Sequence, residues 1–462
     1  MIIEPSYQET LDYLFSYVDF SIQKTFHIDP PKFELERMQL FVSELGNPHM
    51  GYPIIHVAGT KGKGSVSALC ASSLYAAGYK VGFYTSPHLH DYCERIQING
   101  IPISHADLTS LVNKLKPAIA KIPKLTTFEI TTALAFIYFS TQKVDVAVIE
   151  VGLGGRLDAT NVVIPNVSVI TSLSYDHTYL LGNTLAEIAG EKAGIIKAGK
   201  PVVSSPQRDE AHQVLTRIAS ERSSQLIQVG HDYLYAPLDH SLDGQSLLVW
   251  SKAEQKLMDA YIEVDKYGGW LPTRLDIPLL GNHQVENAAT AYAALQVFRE
   301  TGVELSEAAI QNGFAKVRWP GRFEVLRREP PIVVDSAHNR DSAQKLRLTL
   351  ADYFPSRPVV LIFGASEDKD IQGMLAELSP GVHQVIATKA IHPRAMEPEN
   401  IVEMVHRCGR PCKAVPQVPD ALDMALKYAG TEYLTLAAGS IFLAAETRQA
   451  WLERNNKKGS SK

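Results

Sequence analysis

The stretch Pro53-Ile54-Ile55-His56-Val57-Ala58-Gly59-Thr60-Lys61-Gly62-Lys63-Gly64-Ser65 decides the fold of this chain. An apolar run ends in a glycine-rich turn, and the residues from about Ser65 onward continue as a helix. Glycines let successive backbone N–H groups turn inward around an anion, and the helix N-terminus adds partial positive charge. We therefore interpret the stretch as a strand, a phosphate-binding loop and a helix that hold a nucleotide triphosphate.

The spacing of this loop differs from the usual pattern G-x-x-x-x-G-K-[ST]. Val57 stands where the first glycine is expected, and Gly64 separates Lys63 from Ser65. Because the hydroxyl next to the lysine normally binds magnesium, a metal ligand is expected elsewhere in the chain. The alternative, a glycine-rich surface turn with two solvated lysines, is disfavoured by the strand and helix that flank the loop.

The composition is that expected of an ordinary soluble protein. With 462 residues the chain exceeds one compact core, so two domains are expected. A net charge of -5 gives no basic excess for nucleic acid, and the apolar runs are too short to span a membrane. The N-terminus lacks a secretory pattern, and the four cysteines form no disulfide framework. We expect a cytoplasmic monomer that acts on small molecules.

Apolar β-branched runs alternate with helical segments, the pattern of a parallel sheet covered by helices. Pro and Gly interrupt the chain at Arg318-Trp319-Pro320-Gly321, and a second set of strands follows. This pattern predicts an α/β ATP-binding domain over 1–318 and a smaller α/β domain over 319–462. Residues 232–277 alternate weakly and are expected to add short β-rich decoration. The main helices are predicted at 65–77, 128–140, 184–197, 282–301 and 306–317.

Acidic and imidazole groups follow two strands of the first domain. Glu150 ends the run 144–149, and His177 comes after the strand at 167–172. Ligands of open α/β sheets bind at the carboxyl ends of strands, and magnesium prefers oxygen ligands. Glu150 is therefore a candidate magnesium ligand, with a cap of the next glycine turn as the alternative. His177 alone would be interpreted as structural, but its place at the same sheet edge favours a functional role.

Other candidates give weaker signals. Lys192 lies in a helix among small apolar residues, and its spacing alone favours a solvated lysine. Arg322 follows the interdomain Pro-Gly pair, while Asp335 and His338 follow a strand of the second domain. An arginine there can neutralise phosphate, and a strand-end Asp and His can contact base or ribose.

Taken together, these motifs resemble the folylpolyglutamate synthases, the folate branch of the Mur ligase family. The resemblance covers about residues 38–448 and has one departure, Lys61, where the family usually has asparagine. Besides the loop at 56–65, it rests on Thr85-Ser86-Pro87-His88-Leu89, 94–96, 150–161, Asp176-His177, 287–290, Pro320-Gly321-Arg322 and 335–339.

The resemblance implies an ATP-dependent ligase with a Mur-ligase-like fold. It implies that two Mg²⁺ ions are bound, with Ser86, Glu150 and His177 as ligands. It also implies that Lys192 is carbamylated, a carboxylate that supports the second ion, and that Lys63, Lys192 and His177 are catalytic. The implied ATP contacts are Gly59, Thr60, Lys61, Gly62, Lys63, Gly64, Ser65, Asn287, Arg322, Asp335 and His338. The implied pterin contacts are Thr126, Thr127, Phe128, Glu129, Leu157, Asp158 and Ala159.

The expected reaction is addition of L-glutamate to the γ-carboxylate of a tetrahydrofolate through an acyl phosphate. A dihydrofolate synthase, which joins glutamate to dihydropteroate, is the nearest alternative, alone or on the same chain. A peptidoglycan-type Mur ligase fits the motifs at 85–89 and 94–96 less well. A nucleotide-switched binding protein without turnover would not need the full set of metal candidates.

Overall fold

The computed structural model describes residues 4–19, 34–264 and 270–459. Most of the first part is built on one sheet. Its strands are β1 Ile54–Ala58, β2 Val81–Tyr84, β3 Ile96–Ile98, β4 Ile101–Pro102, β5 Val146–Glu150, β6 Val167–Ile170, β7 Val202–Ser204 and β8 Leu226–Gln228. The order is β4-β3-β2-β5-β1-β6-β7-β8. Along this order, the neighbouring strands β2-β5-β1-β6-β7-β8 all pair in parallel. At the other edge, β3 pairs antiparallel with β2, and β4 pairs antiparallel with β3.

Helices cover this sheet. They are α1 Pro5–Phe15, α2 Leu35–Glu44, α3 Lys63–Ala76, α4 His105–Lys121, α5 Thr127–Thr141, α6 Thr178–Leu181, α7 Leu185–Ala193 and α8 Asp209–Glu221. Every residue of β1 and β5 is buried, because helices pack on both faces of a parallel sheet. Short 3₁₀ turns lie at Pro48–Met50, Tyr92–Arg95, Ala159–Val162 and Lys252–Glu254.

The expected β-rich decoration is a separate antiparallel sheet of order β11-β10-β9. Its elements are β9 Tyr233–Ser241, β10 Gly244–Ser251, α9 Gln255–Val264 and β11 Thr273–Ile277. They are followed by α10 Asn282–Glu300 and α11 Glu307–Lys316. Leu247 and Leu275 of this sheet share one apolar core with α10, α3 and β1. The decoration therefore packs against α10 and α11, which in turn pack against α3, the helix that follows the phosphate loop.

A six-stranded sheet of order β12-β13-β17-β14-β15-β16 forms the last part. Its strands are β12 Glu324–Arg328, β13 Pro331–Val334, β14 Val359–Phe363, β15 Val382–Ala387, β16 Cys412–Ala414 and β17 Leu434–Ala438. Its helices are α12 Arg340–Tyr353, α13 Ile371–Leu378, α14 Pro398–Arg407, α15 Val418–Ala429 and α16 Ile441–Gly459. The predicted class, a parallel-sheet α/β part followed by a smaller α/β part, is confirmed.

Two helices begin or end at other residues than predicted, in each case next to a glycine that caps the helix. Helix α3 begins at Lys63 rather than near Ser65, because Gly62 takes a φ of 89° and caps the helix earlier. Helix α7 ends at Ala193, before the predicted 197, with Gly194 at its C-cap. All four cysteines are free thiols. Among the described residues, no helix has the length and apolarity that a bilayer crossing requires.

Candidate active site

The two α/β sheets meet at a cavity of about 900 Å³. The carboxyl ends of β1 and β5 open into it from one side, and the residues after β13 and β17 line it from the other. Every residue that the sequence singled out for ATP, pterin, metal or catalysis lies in its wall. The structure therefore brings together residues from Gly59 to His338 in one place, as strand-end reasoning expected.

At two positions of the phosphate loop, neighbouring side chains leave no room for a residue larger than glycine. A Cβ on Gly62 would lie 2.2 Å from Oδ1 of Asn287, and φ there is 89°. A Cβ on Gly64 would lie 2.7 Å from Cζ2 of Trp319 in the interdomain linker. The unusual glycine between Lys63 and Ser65 thus has a physical reason, since the linker indole packs directly on the loop.

The backbone of the loop has two differently oriented halves. The N–H groups of Thr60 and Lys61 both donate to the carbonyl of Ser172, at 3.0 Å. The N–H groups of Lys63, Gly64 and Ser65 open helix α3 ahead of its first i to i−4 hydrogen bond, from Val66 to the carbonyl of Gly62. Those groups, with the positive end of the helix dipole, form the part of the loop that can bind phosphate oxygens.

Two ammonium groups meet at the loop. Nζ of Lys63 donates to the carbonyl oxygen of Gly59 at 3.2 Å, and Nζ of Lys192 donates to the same oxygen at 3.0 Å. Lys192 is 4% exposed, so the solvated lysine that its spacing favoured is excluded. Burial, reinforced by the charge of Lys63, lowers the pKa of Lys192 to about 7. The neutral amine, which carbamylation requires, is therefore populated near neutral pH.

The carboxylate of Glu150 is buried beside the loop. Its Oε2 accepts from the hydroxyl of Thr85 and, at 3.4 Å, from the N–H of Ser86. Within the described part of the chain no hydrogen bond reaches its Oε1. Burial raises the pKa of this carboxyl, and the charge of Lys63 opposes the shift. A carboxylate oxygen without a donor, in the cavity wall at the edge of a phosphate loop, fits a magnesium ligand.

His177 stands at the same edge in a left-handed backbone conformation, with φ of 49°. Burial, followed by the charge of Lys369, lowers the pKa of its imidazole to about 3, so the ring is neutral. Its Nε2 lies 3.7 Å from Oδ1 of Asp176, which is too long for a hydrogen bond. A neutral ring nitrogen without a short hydrogen bond fits the predicted role as a ligand.

The predicted pterin segment opens helix α5 through a capping box. Oε2 of Glu129 accepts from both the backbone and the hydroxyl of Thr126, at 2.7 and 2.9 Å. Arg37 of α2 donates its Nε to the same carboxylate, at 2.9 and 3.1 Å. Thr127 donates its hydroxyl to the carbonyl of Leu14. The side chains of Thr126, Thr127 and Glu129 are therefore used in hydrogen bonds within the protein. Phe128, which has no polar atom to satisfy, is the member of the segment best placed to contact a ligand.

The second pterin segment is also held tightly. Asp158 accepts from the N–H groups of Leu153 and Thr160, at 2.9 and 3.0 Å, and burial raises the pKa of its carboxyl. Its neighbours Leu157 and Ala159 line the cavity beside it. The glycine turn before this segment leaves room for the ring of Phe128, since a Cβ on Gly152 would lie 2.4 Å from it.

The second domain contributes a cationic and a carboxylate group. Arg322 is half-buried near Asp335 and Glu150, and desolvation lowers the pKa of its guanidinium while both acids oppose the shift. Asp335 accepts from the N–H groups of Phe323 and Ala337, at 2.7 and 2.8 Å. Burial raises the pKa of this carboxyl. The Arg322 guanidinium donates to the carbonyl oxygen of Gly321, at 3.2 Å, so an arginine at this position can also reach an anion in the cavity.

Sequence reasoning missed several charged residues of the wall. They are Arg37, Lys369, Arg394 and Asp176, the last quoted only as part of a motif. Lys369 and Arg394 follow β14 and β15, so the strand-end rule applied to Glu150 could also have found them. Arg37 lies inside helix α2, and no local signal distinguishes it from a solvated arginine.

Comparisons with known proteins agree with this geometry. The Mur ligase middle domain matches residues 57–295, and the Mur ligase glutamate ligase domain matches residues 321–441. The chain is 36% identical over 422 residues to the dihydrofolate synthase/folylpolyglutamate synthase of Bacillus subtilis, covering 90% of this chain and 94% of that protein.

The chain is also similar to solved structures of related enzymes. Folylpolyglutamate synthase of Mycobacterium tuberculosis, complexed with ADP and AMPPCP, superimposes with a TM-score of 0.83 at 32% identity, covering 96% of this chain and 98% of that one. Escherichia coli FolC in complex with DHPP and ADP gives 0.82 at 31%, covering 97% and 98%. The chain belongs to the Mur ligase family, in the branch of the dihydrofolate synthases and folylpolyglutamate synthases.

Proposed function

We propose that this protein is an ATP-dependent folylpolyglutamate synthase, which adds L-glutamate to the γ-carboxylate of a tetrahydrofolate. The observation that carries the proposal is that the phosphate loop and the segment Thr126–Glu129 line one cavity between the two sheets. We further propose that residues 1–318 bind ATP and the folate. Residues 319–462 then close over the nucleotide and the glutamate.

The residues of the cavity suit phosphoryl transfer followed by amide formation. A carboxylate is a poor electrophile, so the γ-phosphate of ATP is first moved onto it, giving an acyl phosphate and ADP. The amine of glutamate then attacks the acyl carbon and phosphate leaves. Lys63 and the N–H groups at the start of α3 hold the β- and γ-phosphates. Arg322 neutralises charge from the other domain, while closure excludes water from the acyl phosphate.

Mg²⁺ would supply charge neutralisation on the phosphates. In this proposal Ser86, Glu150 and His177 hold one ion, and a carbamate on Lys192 supports a second. Asn287, Asp335 and His338 contact the nucleoside. Leu157, Asp158 and Ala159, with Phe128, hold the pterin. The burial of Lys192, and its lowered pKa, support the carbamate because an ammonium cannot react with carbon dioxide.

A second activity is favoured by a specific similarity. The Escherichia coli relative was solved with DHPP and ADP, and the Bacillus subtilis relative carries both activities in its name. We therefore propose dihydropteroate as an additional acceptor at the same cavity, used by the same mechanism.

A substrate panel tests both proposals. Purified protein receives ATP, Mg²⁺ and L-glutamate with either tetrahydrofolate or dihydropteroate, and ADP formation and product mass are measured. We expect ADP and a product heavier by one glutamyl residue with tetrahydrofolate. Parallel reactions without glutamate or without the pterin serve as controls. Absence of a glutamylated product from both acceptors would overturn the assignment, and product from dihydropteroate alone would make the protein a dihydrofolate synthase.

A further inference from the structure

Asp176 connects the two domains through one carboxylate. Its Oδ2 lies 3.1 Å from Nζ of Lys61 in the phosphate loop. Its Oδ1 lies 3.0 Å from Nζ of Lys369, which follows β14 in the other domain. Nδ2 of Asn339, also in that domain, donates to Oδ2 at 2.9 Å. The loop and the second domain are thus joined by an ionic contact besides the covalent linker.

The contact is shielded from solvent, which strengthens it. The side chain of Asp176 is 9% exposed, and those of Lys61 and Lys369 are 13% exposed. The carboxylate thus pairs with two ammonium groups, one from the phosphate loop and one from the other domain.

His338 adds a second partner for Lys61. Its Nδ1 lies 2.9 Å from the carbonyl oxygen of Ser336, so Nδ1 carries the proton and Nε2 has a lone pair. That Nε2 lies 3.3 Å from Nζ of Lys61, which can therefore donate to it. The ammonium of Lys61 is accordingly engaged by groups outside the loop, unlike that of Lys63, which contacts Gly59.

The contact depends on the charge and length of the Lys61 side chain. An asparagine side chain is neutral and shorter, so it cannot form the same ion pair with Asp176. The ionic contact between the loop and the second domain therefore requires the ammonium of Lys61.

We propose that Lys61 is a positioning residue that clamps the phosphate loop to the second domain through Asp176 and so keeps the cleft between them closed. The clamp deepens the proposed ligase function, on which its kinetic consequences rest. A closed cleft protects the acyl phosphate from water until glutamate attacks. Loss of the clamp should raise the KM for glutamate more than it lowers kcat, since glutamate must bind between the two domains.

Lys61→Asn and Lys61→Arg test the clamp, with Lys316→Asn on the exposed end of α11 as the matched control. Small-angle scattering of the ligand-free proteins needs no enzymatic activity, so it tests the clamp even if the proposed function fails. We expect Lys61→Asn to have a larger radius of gyration than wild type. Lys61→Arg and Lys316→Asn should scatter like wild type.

In the ligase assay, Lys61→Asn should raise the KM for glutamate about tenfold, the effect of one charged hydrogen bond. It should also form more than one ADP per glutamyl product, which a merely structural defect would not cause. Lys369→Met breaks the same contact from the other domain and should behave likewise, so the test survives poor folding of one variant. Unchanged scattering and unchanged coupling in both variants would overturn the proposal. Weaker ATP binding with unchanged scattering would also overturn it, and would make Lys61 a phosphate ligand.

Discussion

Lys63 and Lys192 direct their ammonium groups at one acceptor, the carbonyl oxygen of Gly59 in the phosphate loop. One lysine opens helix α3, and the other comes from the last turn of α7. Two like charges at one neutral oxygen repel each other, so the arrangement favours either an anion between them or loss of one charge. A nucleotide phosphate supplies the first outcome, and carbamylation of Lys192 supplies the second.

Replacement of Lys63 by alanine tests the phosphate loop. Because Lys63 provides a preorganised charge contact, Lys63→Ala should lower turnover by a factor of about 10²–10³. The fold should remain, since its ammonium bonds only one carbonyl among the described residues. Steady-state ADP formation measures the effect, and Lys114→Ala on the exposed face of α4 is the control. Near-normal ATP turnover by a folded Lys63→Ala protein would remove Lys63 from the site.

Glu150→Gln tests the magnesium ligand. Glutamine keeps the shape of the side chain and can still accept from Thr85, but it removes the negative charge. Activity should therefore require a higher Mg²⁺ concentration, with a lower maximum at saturation. Titration of activity with Mg²⁺ measures the shift. Superimposable titrations of the variant and wild type would show that Glu150 is not a ligand.

Gly64→Ala tests the contact between the linker and the loop. The added methyl would lie 2.7 Å from the indole of Trp319, so either the linker or the loop must move. We expect a several-fold higher KM for ATP and altered fluorescence of Trp319. Gly190→Ala is the matched control, since its methyl meets no atom within 4 Å and alanine favours helix α7. Equal KM values for the two variants would mean that the linker tolerates the methyl group.

Local patterns predicted the elements of the fold and many residues of the site, for physical reasons. The phosphate loop and Glu150 are recognisable because strand, turn and helix signals lie within a few residues of each other. Long-range packing could not be predicted in this way. Lys192 had a local pattern that favoured solvent, yet α7 packs it against Gly59. The pairing of Arg37 with Glu129 joins residues 92 positions apart and leaves no local trace.

The proposed carbamylation of Lys192 predicts a pH dependence with a definite sign. Its pKa in the folded protein is about 7, against an ordinary value of 10.5. Below pH 7 the ammonium predominates and cannot react with carbon dioxide. Between about 7 and 10.5 the folded protein holds the amine while the unfolded chain holds the ammonium. Unfolding therefore takes up a proton in this window, and the contribution of Lys192 to stability rises with pH. Carbamate formation, and activity with it, should increase as the pH rises through 7.

Carbon dioxide is the second variable of this prediction. Dialysis at low pH into carbon-dioxide-depleted buffer should remove most of the activity, and bicarbonate should restore it. Protein incubated with ¹³C-bicarbonate should show a carbamate signal that Lys192→Ala lacks. The Lys192→Ala variant should form no acyl phosphate. If the carboxylate alone is required, a small carboxylic acid such as acetate should partly restore acyl-phosphate formation by this variant. Full activity after carbon dioxide removal would refute the modification. So would an experimental map of an unmodified Lys192 in the magnesium- and nucleotide-bound enzyme, because the carboxylate that supports the second ion would then be missing.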